Sequence, residues 1–343
     1  MKSFRPAVAA LAAVVAVGSW AIVASGQAVP LPSQVPLPLE PLGLTNEAVF
    51  AALEGWGPHK DGANVIILGY FNRNKDQELD IPIGPNNRIE PGGPDFGQPT
   101  HFETGRAYGV FSIPVAKEAL NRKLTWTINA NGQTTAVTFW ANPAYWIDFF
   151  QNTANENAPP VIKFAENGPT TTGPPRGIAQ TLTGAPWQPV ELRFWASDKP
   201  AKPSAAEAAR GAAPARGADA GRGRGARGPA APDPGVAIIG GQVIASRGGG
   251  GGGGGGGRGS GPPADIRISW HKHRGPGDVT YDTDEIRLEN KGDATLFLEA
   301  KTNAYFSEPG EYILRAQVND QSGNGGGGDQ CCWTTALVRV NIK

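Results

Sequence analysis

Cysteine is nearly absent from this chain. Two occur in 343 residues, Cys331 and Cys332, and they are neighbours. That excludes the multi-disulfide framework that holds small exported domains together. Stability has to come from buried apolar surface, for which about 100 residues per module is enough. Recognisable catalytic patterns are also missing: there is no GxSxG, no P-loop, no HExxH helix, and no pair of carboxylates in a telling setting. The four histidines include two isolated ones, His59 and His101. Beyond residue 24 no apolar run is long enough to span a bilayer.

The charge balance is zero, yet unevenly spread. Residues 199–263 hold nine basic and three acidic side chains, a net +6. The remainder, outside a short basic start, is mildly acidic, which argues against nucleic acid as a partner.

The start of the chain reads as a secretory signal, residues 1–26. Lys2 and Arg5 precede an apolar run from Ala7 to Ala24, and small residues Ala24, Ser25 and Gly26 follow. If uncleaved, this segment is also the one expected contact with a membrane. The predicted location is therefore outside the cytoplasm: periplasmic, cell-surface or secreted. A proline-rich linker, 27–44, comes next and suits an extended spacer.

From 45 to 150 the pattern predicts a first β-sandwich module. Lys60-Asp61-Gly62 and Asn131-Gly132 are hairpin turns between apolar segments. Val65 to Leu68 reads as a strand buried on both faces, and Leu124, Trp126 and Ile128 alternate with threonines. Asn46 to Leu53 suits either a short helix ended by Gly55 and Gly57 or a strand.

A second module is predicted over 159–343. Segments around Leu192, Ile268, Leu314 and Val338 all show period-two alternation. Residues 199–263 interrupt it with 21 glycines and 8 prolines, too little apolar surface to offset the entropy of ordering. They read as a disordered Gly/Arg/Pro-rich insertion, which a sandwich tolerates because closure entropy grows slowly with loop length. Gly223, Gly225 and Gly228 spell GxGxxG inside it, but no strand precedes and no helix follows, so no dinucleotide site is expected.

Two stretches of this module carry a resemblance. FSEPGEYILRAQVND (306–320) and ISWHKHRGPGDVTY (268–281) resemble strands of PKD-like and other immunoglobulin-like domains of exported bacterial proteins. The resemblance implies that Tyr312 caps a sandwich corner through its hydroxyl and that Trp270 packs at the centre. It carries no ligand or activity. GYFNRN (69–74) and FGQPTHF (96–102) resemble the N-terminal part of uncharacterised exported bacterial proteins. The expected fold class is thus all-β, two sandwiches, the second immunoglobulin/PKD-like, with Trp126, Trp270 and Tyr312 as structural anchors.

Few residues suggest chemistry. Cys331 and Cys332 are disulfide candidates, either as a strained ring between neighbours, as two thiols, or as an intermolecular link. His271 and His273 flank Lys272 and would share one strand face. They are low-grade ligand candidates, weighed against plain solvent-facing residues beside a turn. Asn72, Asn74 and Asp76 begin an oxygen-rich run suggestive of a calcium loop, but Gln77 and Ile83 stand where an EF-hand needs glycine and glutamate. The plainer reading is a polar loop or a wet strand face. Trp195 is the tryptophan expected to be exposed and able to stack on a sugar. No cofactor is implied.

The functional expectation is a non-catalytic binding or structural module whose partner is a glycan or a surface protein. The alternative is a redox-active or enzyme-associated accessory protein using Cys331 and Cys332. A hydrolase would need a polar cleft that residue patterns do not reveal.

Overall fold

The computed structural model describes residues 42–152, 156–199, 238–239, 242–243, 266–289, 293–320 and 333–343. The segment read as a signal, most of the expected linker, most of the expected insertion and the two cysteines lie outside them. Among the described residues the regular elements are strands, apart from two 3-10 turns, Lys117–Ala119 and Pro143–Tyr145. The expected all-β, sandwich-like fold is what the chain forms, and among the described residues no helix is long and apolar enough to cross a membrane.

In the first half, β1 (Val49–Pro58), β2 (Asn64–Asn72) and β6 (Gly105–Val115) form one antiparallel sheet in the order β1-β2-β6. Facing it are β4 (Asn87–Glu90), β7 (Leu124–Ala130) and β8 (Gln133–Phe139), while β3 (Leu79–Asp80) pairs with β5 (His101–Phe102). The turn between β1 and β2 contains Lys60, Asp61 and Gly62. Between β7 and β8, Asn131 (φ 51°) and Gly132 (φ 74°) both take the left-handed conformation that a two-residue hairpin needs. The helix alternative for Asn46 to Leu53 gives way to β1, which runs on through Gly55 and Gly57 because Val49 and Ala51 bury themselves in the shared core.

Trp126 is fully buried at the centre of that core, with the Phe111 ring edge-on at 5.2 Å. Its indole N–H would be costly to bury alone. It donates to Asn87 Oδ1 at 3.0 Å, and the Asn87 amide in turn donates to the carbonyls of Ile81 and Pro99. Strand β2 is covered on both faces, as its unbroken apolar run predicts. Ile66, Leu68 and Tyr70 point into this core, and Val65 and Ile67 pack against Phe149 and Trp333 on the other side.

The second half has two five-stranded sheets. One holds β9 (Val161–Lys163), β10 (Thr170–Thr171), β12 (Val190–Ser197), β16 (Val279–Tyr281) and β18 (Leu298–Phe306), in the order β10-β9-β12-β18-β16. The other holds β11 (Ile178–Gly184), β15 (Ile266–Arg274), β17 (Glu285–Leu288), β19 (Gly310–Asn319) and β20 (Trp333–Ile342), in the order β11-β20-β19-β15-β17. All pairings in these sheets are antiparallel except β11 with β20, which run parallel. Within the insertion, β13 (Ile238–Ile239) pairs with β14 (Gln242–Val243).

The inner faces of both sheets supply one apolar core, in which the Trp270 ring stands 5.7 Å from Phe194. Tyr312 is fully buried, donates its hydroxyl proton to the Glu308 carbonyl at 2.8 Å and accepts from the Gly277 amide at 3.1 Å. Gly275 makes room for it: a Cβ there would lie 2.1 Å from the Tyr312 ring. The two cores belong to one compact unit, Leu42–Lys343.

Candidate functional site

The outer face of the β11-β20-β19-β15-β17 sheet is covered in part: Arg267, Glu285, Arg287 and Glu311 stay exposed, while Arg315, Gln317 and His273 are buried. The covered part packs on the first sandwich, and the seam between them gathers most of the buried ionisable groups. Alternation puts Ser269 and His271 of β15 and Arg315 and Gln317 of β19 on this face, since Trp270, Leu314 and Ala316 take the inner one.

Three β-bulges shape the seam. Pairing of β1 with β2 slips between Leu53 and Gly55, which leaves Glu54 as the extra residue. Pairing of β2 with β6 slips between Leu68 and Tyr70, around Gly109. Pairing of β15 with β19 slips between Lys272 and Arg274, which leaves His273 over. Bulges re-aim side chains that a regular ladder would turn elsewhere.

The first two bulges meet over Gly69. Glu54 accepts from Arg106 Nη2 at 2.8 Å and from the Gly109 amide at 2.7 Å. A Cβ on Gly69 would fall 2.2 Å from Glu54 Oε1 and 2.3 Å from the Ala107 carbonyl, so the ion pair depends on a glycine beneath it. The Glu54 carboxylate is 2% exposed. Burial pushes its pKa up to about 7, against the pull of Arg106 and the Gly109 amide. Gly109 itself has φ 58° and lies under the Trp333 ring, where a Cβ would approach to 2.5 Å.

Beside this lies a chain of hydrogen bonds. His271 Nδ1 is 2.6 Å from Glu103 Oε2, and His271 Nε2 is 2.9 Å from Ser269 Oγ. Arg315 Nη2 stands 4.0 Å from the same Glu103 oxygen, and Arg315 Nη1 donates to Gln317 at 2.7 Å. The Glu103 amide donates to Tyr70 Oη at 2.9 Å. Burial, together with Arg315, lowers the His271 pKa, while Glu103 is held below the usual glutamate range by His271 and Arg315 in spite of its own burial.

Further along the seam, Lys272 Nζ pairs with Asp80 at 2.9 Å, and Asp80 also meets His101 Nδ1 at 3.0 Å. Arg274 grips both oxygens of Asp95, at 3.0 and 2.7 Å. His273 is not solvent-facing: it is buried, Nε2 donates to the Gly97 carbonyl at 2.9 Å, and burial lowers its pKa to about 3. At the rim Arg176 pairs with Asp61 at 2.8 Å.

The other flagged residues are scattered. Asn72 and Asn74 are buried rather than in a wet loop or strand face. Asn72 donates to the carbonyls of Gln77 and Phe102 and accepts from Asn74, and Asn74 exchanges bonds with the Glu47 backbone. Their oxygens already face N–H donors, because a buried amide has to spend its polar atoms. Asp76 is exposed. Among the described residues no group of three His, Cys, Asp or Glu side chains is arranged to hold a metal. Trp195 is only half-buried, flanked across the sheet by Lys163 and Glu299. Among the described residues the exposed aromatic rings are Phe50 (37%), Tyr145 (43%), Trp146 (53%) and Trp187 (65%). Cys331 and Cys332 lie outside the described residues.

Sequence reasoning did not single out Glu54, Glu103, Arg106, Ser269 or Arg315. The available signal was a run of polar residues in the outward phase of β15 and β19, but only the packing of one sandwich on the other brings those to carboxylates more than a hundred residues earlier. No family model matches the chain, and no curated protein matches it.

Proposed function

We propose that the chain is an exported binding and spacing body, working in the periplasm or at the cell surface, whose main role is non-catalytic and whose partner is a glycan. The second sandwich fits an immunoglobulin- or PKD-like module, a reading supported by the Tyr312 hydroxyl closing onto the Glu308 carbonyl and by Trp270 in the core.

The observation that carries the binding role is the aromatic pair Tyr145 and Trp146. Both rings are open to solvent, yet their backbone is pinned. Asn142 caps the 3-10 turn by accepting from the Ala144 amide at 3.1 Å, and the Trp56 indole donates to the Asn142 carbonyl at 2.6 Å. The Ile147 amide donates to the Trp56 carbonyl at 2.9 Å. A backbone held this way lowers the ordering cost when such rings stack on a sugar face.

Screening the protein on a glycan array, followed by calorimetry with the best ligand, tests this reading. Trp146→Ala is expected to weaken binding about two- to tenfold, since an aromatic stacking contact contributes about 0.5–1.5 kcal/mol. A wild-type protein that binds no glycan, or a Trp146→Ala variant that binds as well, removes the reading.

A further inference from the structure

The seam holds an arrangement that goes beyond a binding role. We propose that Ser269 is an activated nucleophile, with His271 as its general base and Glu103 orienting that base, and that it takes the acyl group of small carboxylic esters.

The geometry has the order such chemistry needs: hydroxyl, imidazole, carboxylate, each within hydrogen-bond reach of the next. The contacts are 2.9 Å from Ser269 Oγ to His271 Nε2 and 2.6 Å from His271 Nδ1 to Glu103 Oε2. The ionised Glu103 fixes the tautomer. With the ring proton on Nδ1 facing the carboxylate, the Nε2 lone pair faces the serine hydroxyl. His271 first, and then Arg315, hold the Glu103 carboxyl below the usual glutamate range, while burial and then Arg315 lower the imidazole's pKa against the opposing pull of Glu103 and, more weakly, Asp284.

A neighbour-to-neighbour accident of one strand does not account for this. Ser269 and His271 share a face of β15, but Glu103 comes from the other sandwich, 168 residues earlier, and its backbone is tied to Tyr70. Access is from the sheet edge. Ser269 is half-buried, and its partner on the edge strand β17 is the exposed Glu285. His271 and Glu103 keep 23% and 27% of their side chains open.

In the acylation step Ser269 Oγ bonds to the ester carbonyl carbon while its proton passes to His271 Nε2. Collapse breaks the bond from that carbon to the alkoxy oxygen, and the departing oxygen takes the proton from Nε2 and leaves as an alcohol. The serine is left as an ester. Water, deprotonated by the same nitrogen, repeats the step and frees the acid.

The probe is p-nitrophenyl acetate on the full-length protein, with tandem mass spectrometry of the peptide carrying Ser269. An acetyl group is expected on Ser269, its rate of appearance falling at least about tenfold in His271→Ala and in Glu103→Gln, since a positioned base contributes about a hundredfold or more. Acetyl groups on lysines alone, or equal labelling of Ser269 without His271, overturn the proposal. Should those variants fail to fold, Ser269→Cys decides, being nearly isosteric. Its alkylation by iodoacetamide is expected to follow a thiol pKa well below the ordinary value of about 8.5. An ordinary thiol profile overturns the proposal.

Discussion

The inner face of the β11-β20-β19-β15-β17 sheet and the part of its outer face that meets the first sandwich are both covered, yet they are built from opposite chemistries. The inner face is Ile268, Trp270, Leu314, Ala316, Val338 and Val340, and it meets another apolar face. The outer face carries Ser269, His271, Arg315 and Gln317, and it meets Glu103 and its neighbours on the first sandwich. Removal from water alone does not demand apolar side chains. It favours a partner for each polar atom, and the outer face finds them partly along its own strands, Ser269 with His271 and Arg315 with Gln317, and partly across the seam at Glu103. The inner face is therefore tolerant in identity and strict in volume, while the outer face is strict in geometry.

The largest break is expected on the inner face. Trp270→Ala removes a buried ring with Phe194 against it, and should cost about 3–5 kcal/mol. Chemical denaturation measures this, and a loss under about 1 kcal/mol would mean that the ring is not a core element.

The seam should instead reveal itself through pH. The folded state holds a proton on Glu54 at a pKa of about 7, whereas the unfolded chain releases it near 4.5. That contribution is fully present below about 4.5 and is lost as pH rises through about 7. At about 1.4 kcal/mol per pKa unit the limb amounts to about 3 kcal/mol. The lowered pKa values of His271 and His273 act the other way. Their contributions are present above the ordinary histidine value of 6.5 and are lost as pH falls. Glu54→Gln should abolish the first limb and leave the second, so urea midpoints across about pH 4 to 8 separate the two. Parallel wild-type and variant curves would show that Glu54 titrates normally.

A smaller effect is expected where the seam is apolar. Gly109→Ala forces a Cβ toward the Trp333 ring from a left-handed backbone, and should cost about 2 kcal/mol. Tryptophan fluorescence should report a loosened Trp333 before global unfolding. An unchanged melt would mean that the ring shifts freely.

The strands were legible wherever the reason for them is local. Asn131-Gly132 names its own hairpin, the alternation around Leu192, Ile268, Leu314 and Val338 marks strands, and the unbroken run from Val65 to Leu68 announces a strand with two dry faces. The outward phase was not legible. His273 is indistinguishable in sequence from a solvent-facing residue, and what buries it is a bulge plus a loop around Gly97 from far upstream. Asn72 and Asn74 look like calcium ligands because an amide suited to an ion is equally suited to a backbone N–H. The parallel pairing of β11 with β20 leaves no local mark at all, since parallel neighbours lie far apart along the chain. The Ser269–His271–Glu103 contact is hidden for the same reason: two of its members lie two residues apart on one strand and the third comes 168 residues earlier.

Strand β20 occupies a position with consequences for the order of assembly. It fills the gap between β11 and β19, and its first residue, Trp333, roofs Val65 and Ile67 of the first sandwich. Until this strand arrives, β11 has no neighbour to bond and β2 shows one greasy side to the surroundings. A chain made from its N-terminus onward completes this sheet, and adds the Trp333 contact to a seam that β15 and β19 already hold, only once β20 has been made. The preceding halves must stay apart from other copies until then.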